Sequence, residues 1–110
     1  MIYHIALQSD WQKCTSLNDY FPSNFREHGF IHACAANQLA GVLARYYTDL
    51  EGLLLLAVDE KKLKSDVLYE PSTGGESFPH VYGPISKSAI VEVYQGEQFS
   101  HAVHSITKAV

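Results

Sequence analysis

The stretch LLLLAV, Leu53–Val58, is the longest wholly apolar run in the chain. Six residues is strand length, and a strand with no polar alternation is one covered on both faces. A bilayer span takes about 20 apolar residues, so this run is far too short to be one. It predicts a central, two-sided strand around which the other elements are arranged.

Upstream, ANQLAGVLARYYTDL (36–50) places Leu39, Val42, Leu43 and Tyr46 at i, i+3, i+4 and i+7. That spacing is one face of a helix, the main helix of the chain. FIHAC, Phe30–Cys34, reads as a strand. LNDYFPSNFREHG, Leu17–Gly29, is irregular, with a helical turn from Ser23 that Gly29 ends. Tyr3–Leu7 is a strand, followed by a short helix begun by Ser9 or Asp10, whose oxygens accept from orphan amides. Trp11 and Cys14 form the buried side of that helix.

Downstream, DEKKLKSD is a turn or a single helical turn. Val67–Glu70 is a strand stopped by Pro71. STGGES (72–77) has the composition of a mobile connection, with Gly74-Gly75 as its pivot. PHVYG is extended at best, and Ala89–Gln95 is the last strand. Residues 96–110 are a docked helix, with Phe99, Val103 and Ile106 on one side, or a frayed tail. Five or six short strands with one main helix make a small α+β fold. Strict βαβ alternation is missing, which argues against a doubly wound parallel sheet.

The 110 residues are 46% hydrophobic and 18% charged, the composition of one globular domain spanning 1–110. Net charge is −4, and the tightest basic cluster, Lys61, Lys62 and Lys64, sits beside Asp59 and Glu60 as a solvated turn. A long nucleic acid is therefore not an expected partner, and neither is a membrane. A small ligand with two phosphates remains compatible, because a few backbone amides and one arginine can hold it. Cys14 and Cys34 form no CxxC pair, which argues against a disulfide framework or a zinc ribbon. MIYHIALQSDW lacks a charged n-region and a cleavage site, so the expected location is cytoplasmic. Oligomeric state is left open.

Six histidines fall into two groups. His28, His101 and His104 lie in polar surroundings and read as surface residues. His4, His32 and His80 each sit inside a β-like apolar segment: IYHIAL, GFIHAC and FPHVYG. Glu70, in LYEPS, is held at a strand end. Polar groups in such places are hydrogen-bonded within the core or face a cleft. Perturbed titratable groups cluster at functional sites, so the four are expected to share one cleft. In SFPHVYGPI, Pro79 and Pro84 fix φ on either side of His80 and Tyr82, which would hold both rigid against that cleft. The competing structural role has His80 bonded to a backbone carbonyl and Tyr82 packed in the core.

The same four residues are the right donor types for zinc or iron(II), although no HxH, HxxxH or HExxH places two of them close in sequence. A third reading is a non-catalytic interaction protein. There, Tyr20, Phe21, Phe25, Tyr46, Tyr47 and Phe99 would supply an aromatic partner surface.

Taken in order, IYHI, GFIHAC, YE and FPHVYG resemble the small bacterial family named for domain of unknown function 952, over Tyr3 to about Tyr94. That family is similar in fold to the ADP-ribosyltransferase superfamily. The resemblance implies a split, strongly bent, mostly antiparallel sheet with a cleft for NAD or ADP-ribose. It implies that His4 holds a ribose hydroxyl. GFIHACAANQLAGVLARYY corresponds to the second motif, a strand running into a helix. His32 stands where many members have a tyrosine that stacks on nicotinamide. The third motif position falls to Glu70 or His80. Tyr82 lines the far wall and Arg45, on the helix after the second motif, reaches a phosphate. The implied activity is transfer from NAD, with Glu70 and His80 as its catalytic residues. The set departs from the superfamily's usual His-Tyr-Glu pattern.

Overall fold

The computed structural model describes residues 1–48, 51–72 and 74–109. Leu53–Val58 is indeed a central strand. It is the fourth of eight in chain order: β1 (Ile2–Leu7), β2 (Asp19–Tyr20), β3 (Ile31–His32), β4 (Leu53–Val58), β5 (Asp66–Pro71), β6 (Ser77–Tyr82), β7 (Ile85–Ser86) and β8 (Ile90–Tyr94). The helices are α1 (Gln8–Lys13), α2 (Phe25–His28), α3 (Leu39–Tyr46) and α4 (Glu97–Lys108), with single 3₁₀ turns at Ala36–Gln38, Glu60–Lys62 and Lys87–Ala89.

The strands form three antiparallel sheets, in the orders β1-β4-β8, β3-β6-β5 and β2-β7. The two larger ones meet at one bridge, where Tyr3 and Cys34 exchange backbone hydrogen bonds of 2.8 Å. The fold class expected from sequence, α+β with a divided, mostly antiparallel sheet, holds at this level.

Side chains of β4 alternate across the first sheet, as the two-residue period of a strand requires. Leu54, Leu56 and Val58 join Ile2, Ala6, Tyr20, Ile31, Val81 and Ile85 in a core shared with the other two sheets. Leu55 points the other way, to Ile5, Cys34, Leu39, Phe78 and Ala102 under α3 and α4. Leu54, Leu55 and Leu56 are each at most 1% exposed. Burying a leucine this fully stabilises by about 1.5–3 kcal/mol, so the run anchors both cores.

Several sequence expectations need correction. α1 starts at Gln8 with no side-chain cap, and Asp10 turns inward, where it accepts a hydrogen bond from Ser23. FIHAC pairs as a strand only at Ile31–His32. Pro71 closes β5 without interrupting it, since β5 is an edge strand that needs no outer amide. PHVYG belongs to a full six-residue strand, β6, the centre of its sheet.

Pro79 is tolerated there for a geometric reason. Its carbonyl accepts from Ala33 at 3.1 Å on the β3 side, so its nitrogen also faces that side, where β3 has already ended. The ladder to β5 loses nothing. The tail is a docked helix, α4, packed on α3 and β4. Asp49, Leu50, Thr73 and Val110, covered by the expected main helix, mobile loop and tail, lie outside the described residues. No helix among the described residues is long and apolar enough to cross a membrane.

Candidate functional site

On β6, Phe78, His80 and Tyr82 share one face at i, i+2 and i+4. His32 of β3 lies directly opposite His80 in register. Glu70 of the neighbouring β5 pairs with Phe78, one step diagonal to His80. The two strand partners therefore bring an imidazole and a carboxylate to His80 from either side.

The His80 Nδ1–H donates to Glu70 Oε1 at 2.7 Å, and the Tyr82 hydroxyl donates to the same oxygen at 2.6 Å. Those two bonds, Tyr82's first, hold the Glu70 carboxyl below the usual carboxylate range, while Glu70 pushes the Tyr82 hydroxyl up. An ionised Glu70 fixes the tautomer of neutral His80 with its hydrogen on Nδ1, leaving the lone pair on Nε2. Among the described residues nothing bonds that Nε2. Phe30 stacks on the His80 ring at 4.1 Å and 21° and touches Tyr82 at 5.3 Å, so the imidazole is held by packing as well.

His32 adds a second polar centre. Burial, then His80 and His28, push its pKa down. Its Nε2 lies 3.2 Å from Nδ1 of His28. His28 was expected to be an unremarkable surface residue; it belongs to the site. Gly29, at φ 80°, caps α2 in the left-handed conformation and turns the chain so that the two imidazoles meet. The sequence did carry a signal, the H-x3-H spacing across a glycine. Phe30, two residues before His32 on the same side, was also missed.

His28, His32 and His80 rim a cleft of about 490 Å³ between the two larger sheets and α3; Glu70, Tyr82 and Phe30 stand behind that rim and do not line it. Its floor is apolar and aromatic, with Tyr3, Ile5, Cys34, Val42, Tyr47 and Phe78; Asn24, His28, His32, Ser72 and His80 stand around it. Burial raises the Cys34 thiol to about 12 and pushes the Tyr3 and Tyr47 hydroxyls up. Cys34 therefore faces the cleft as a neutral thiol rather than a nucleophile. A larger open hollow of about 1080 Å³ lies between α3, α4 and the start of β4. It gathers none of this chemistry.

His4 does not join the cleft. Tyr3 and Ile5 point into it, so by strand alternation His4 points to the opposite face. There its Nδ1–H donates to the His32 carbonyl at 2.6 Å, and its Nε2 accepts from the Tyr20 hydroxyl at 3.0 Å. Burial lowers its pKa to about 4. It is a neutral core histidine that ties β1 to β3, behind the His32 ring. Arg45 is exposed on α3, and although Val42 and Tyr46 beside it reach the cleft, Arg45 does not line it. Of the six expected site residues, His32 and His80 line the cleft, Glu70 and Tyr82 join them through hydrogen bonding at Glu70 without lining it, and His4 and Arg45 stay outside.

The expected zinc or iron set does not assemble. Among the described residues no group of three or more His, Cys, Asp or Glu is placed to hold a metal ion, and both nitrogens of His4 are already bonded within the protein. Of the six aromatics expected on a partner surface, Tyr20 is fully buried, Phe25 packs on the first core, and Tyr47 and Phe99 pack on the second, while Phe21 and Tyr46 are exposed.

No curated protein matches the chain. Its fold is similar to the crystal structure of protein CC0527 from Caulobacter crescentus, with a TM-score of 0.77 and 27% identity over 89% of this chain and 90% of that one. The solution NMR structure of CC0527 gives a TM-score of 0.72 and 29% identity over 86% and 82%. The model of the family described as "Protein of unknown function (DUF952)" matches residues 5–93, and the chain belongs to that family.

Proposed function

We propose that the cleft binds a ribose-bearing nucleotide of the NAD or ADP-ribose type, with His80 as its acid–base group. The observation that carries this reading is the Glu70–His80–Tyr82 set, a carboxylate-oriented imidazole on the rim of an aromatic-floored cleft. The ADP-ribosyltransferase resemblance implies a dinucleotide cleft in a split sheet, and the reading is supported by a cleft between the two larger sheets. Tyr3, Tyr47 and Phe78 offer ring surfaces to a flat base.

In the transfer reaction the C–N bond between ribose and nicotinamide breaks, and its electron pair leaves with the ring. The hydroxyl of water or of another acceptor adds to the ribose carbon, and His80 Nε2 takes its proton. Glu70 keeps Nε2 in the accepting tautomer and stabilises the imidazolium that results.

Two assays test the reading. Calorimetry with ADP-ribose reads binding, and chromatography of NAD incubated with the protein reads nicotinamide release. Saturable ADP-ribose binding is expected, with release slowed about 10²–10⁴-fold in His80→Ala, the usual contribution of an acid–base group. Absence of ADP-ribose binding at millimolar concentration would contradict the nucleotide reading. Equal release by wild type and His80→Ala would contradict the role of His80.

A further inference from the structure

We propose that the His28–His32 pair is an anion-binding point of the cleft, which takes a phosphate or sulfate group together with one proton. The inference deepens the nucleotide reading by naming what would hold a phosphate in a cleft without lysine or arginine.

The argument begins with the charges available. Among the described residues, no Asp, Glu, Lys or Arg lines the cleft. Tyr3 from β1, Cys34 after β3 and Tyr47 after α3 are all pushed toward their neutral forms. Arg26 and Glu27 flank His28 on α2 but are exposed and off the cleft wall. Glu70 of β5 is committed to His80 and Tyr82. Glu76 accepts from Gln38 outside the lining. Among the described residues of the wall, the groups that can take up a proton to become cations are the imidazoles of His28, His32 and His80.

Hydrogen counting within the pair completes the case. Two neutral imidazoles carry two ring hydrogens. With His28 Nδ1 and His32 Nε2 at 3.2 Å, one hydrogen lies between the rings. Of the two outward nitrogens, His28 Nε2 and His32 Nδ1, one then carries a hydrogen and the other a lone pair. A single added proton goes to that lone pair. The inner hydrogen bond survives, the pair gains a full positive charge, and both outward nitrogens become donors. An anion that accepts from the newly protonated outward nitrogen stabilises the added proton, so binding and protonation promote each other. Asn24, one helical turn before His28, lines the same rim and offers a neutral amide.

The test uses sulfate and ADP-ribose, whose charges are constant between pH 5.5 and 8, so that any pH dependence belongs to the protein. Calorimetry in two buffers of different ionisation enthalpy reads the protons taken up. Expected is uptake approaching one proton per sulfate, with affinity falling about tenfold per pH unit above neutrality. His28→Gln, at an exposed position, should abolish that uptake while the protein stays folded. Sulfate binding that ignores pH, or that His28→Gln leaves unchanged, overturns the inference, as does absence of sulfate binding at pH 6. Sulfate binding with proton uptake but without ADP-ribose binding upholds the anion point and removes the nucleotide reading. ADP-ribose binding with no proton uptake does the reverse.

Discussion

His4 and His80 are buried to nearly the same degree, 6% and 7% exposed, and both sit in strands between apolar neighbours. Their surroundings give them opposite roles. Around His4 the protein supplies a carbonyl acceptor and a hydroxyl donor, so both nitrogens are satisfied. Around His80 it supplies one carboxylate, and Nε2 is left over on the rim of the cleft. Burial alone does not mark a functional histidine. The unspent hydrogen-bonding capacity does, together with a partner that decides which nitrogen keeps it.

The comparison breaks most readily at His4. In His4→Leu the Tyr20 hydroxyl and the His32 carbonyl lose their buried partner. Leaving such groups unpaired costs about 1–3 kcal/mol each, so denaturant unfolding should show a loss of about 2–6 kcal/mol. A loss under half of the lower figure would mean that His4 is not the tie between β1 and β3.

A second, comparable effect is read from pH. The folded protein keeps His4 neutral, with a pKa of about 4 against 6.5 for the ordinary side chain, so between these values the unfolded chain binds more protons. Stability is therefore fully present above pH 6.5 and falls as pH drops toward 4, by about 3 kcal/mol from this group at about 1.4 kcal/mol per unit. Glu70 acts in a different window. Its carboxyl is depressed, so its contribution is present above the ordinary carboxylate pKa and is lost as pH falls through the depressed one. Unfolding measured in steps from pH 7.5 to 4 should lose most of its slope in His4→Leu and keep it in Glu70→Gln.

The smallest effect on stability and the sharpest on chemistry is expected from Glu70→Gln itself. The denaturation midpoint should barely move, because the carboxylate lies at the edge of the sheet. The His80 ring should lose its fixed tautomer, visible as averaged nitrogen signals in place of one protonated and one bare nitrogen. Unaltered ring signals would show that packing by Phe30 suffices to position His80.

The fold was legible where local pattern and tertiary setting agree. LLLLAV announced β4, and the i, i+3, i+4, i+7 spacing announced α3, although its 3₁₀ start at Ala36–Gln38 was not visible. The β2-β7 pair escaped notice because two-residue strands have no period. β6 was underestimated because a proline within a run argues against a central strand, and only the tertiary pairing shows that the nitrogen of Pro79 faces the side where β3 has ended.

For the site, alternation could show that Glu70, His32 and His80 were unusual strand residues. It could not tell that β1 turns His4 away from the cleft, since both faces of that strand are covered. His28 lay in a polar loop by composition, and only the Gly29 turn brings it to His32. Arg45 was expected from the resemblance, and its position on the outer side of α3 is a property of helix rotation against the sheet.

The measurement that tests the central contrast is a long-range proton–nitrogen NMR titration of the histidine rings with ADP-ribose. The account predicts that the His28, His32 and His80 ring signals move together and saturate, while His4, with both nitrogens bonded inside the protein, stays in place. Signals that remain fixed at all four rings, or a shift at His4 as large as that at His80, would contradict it.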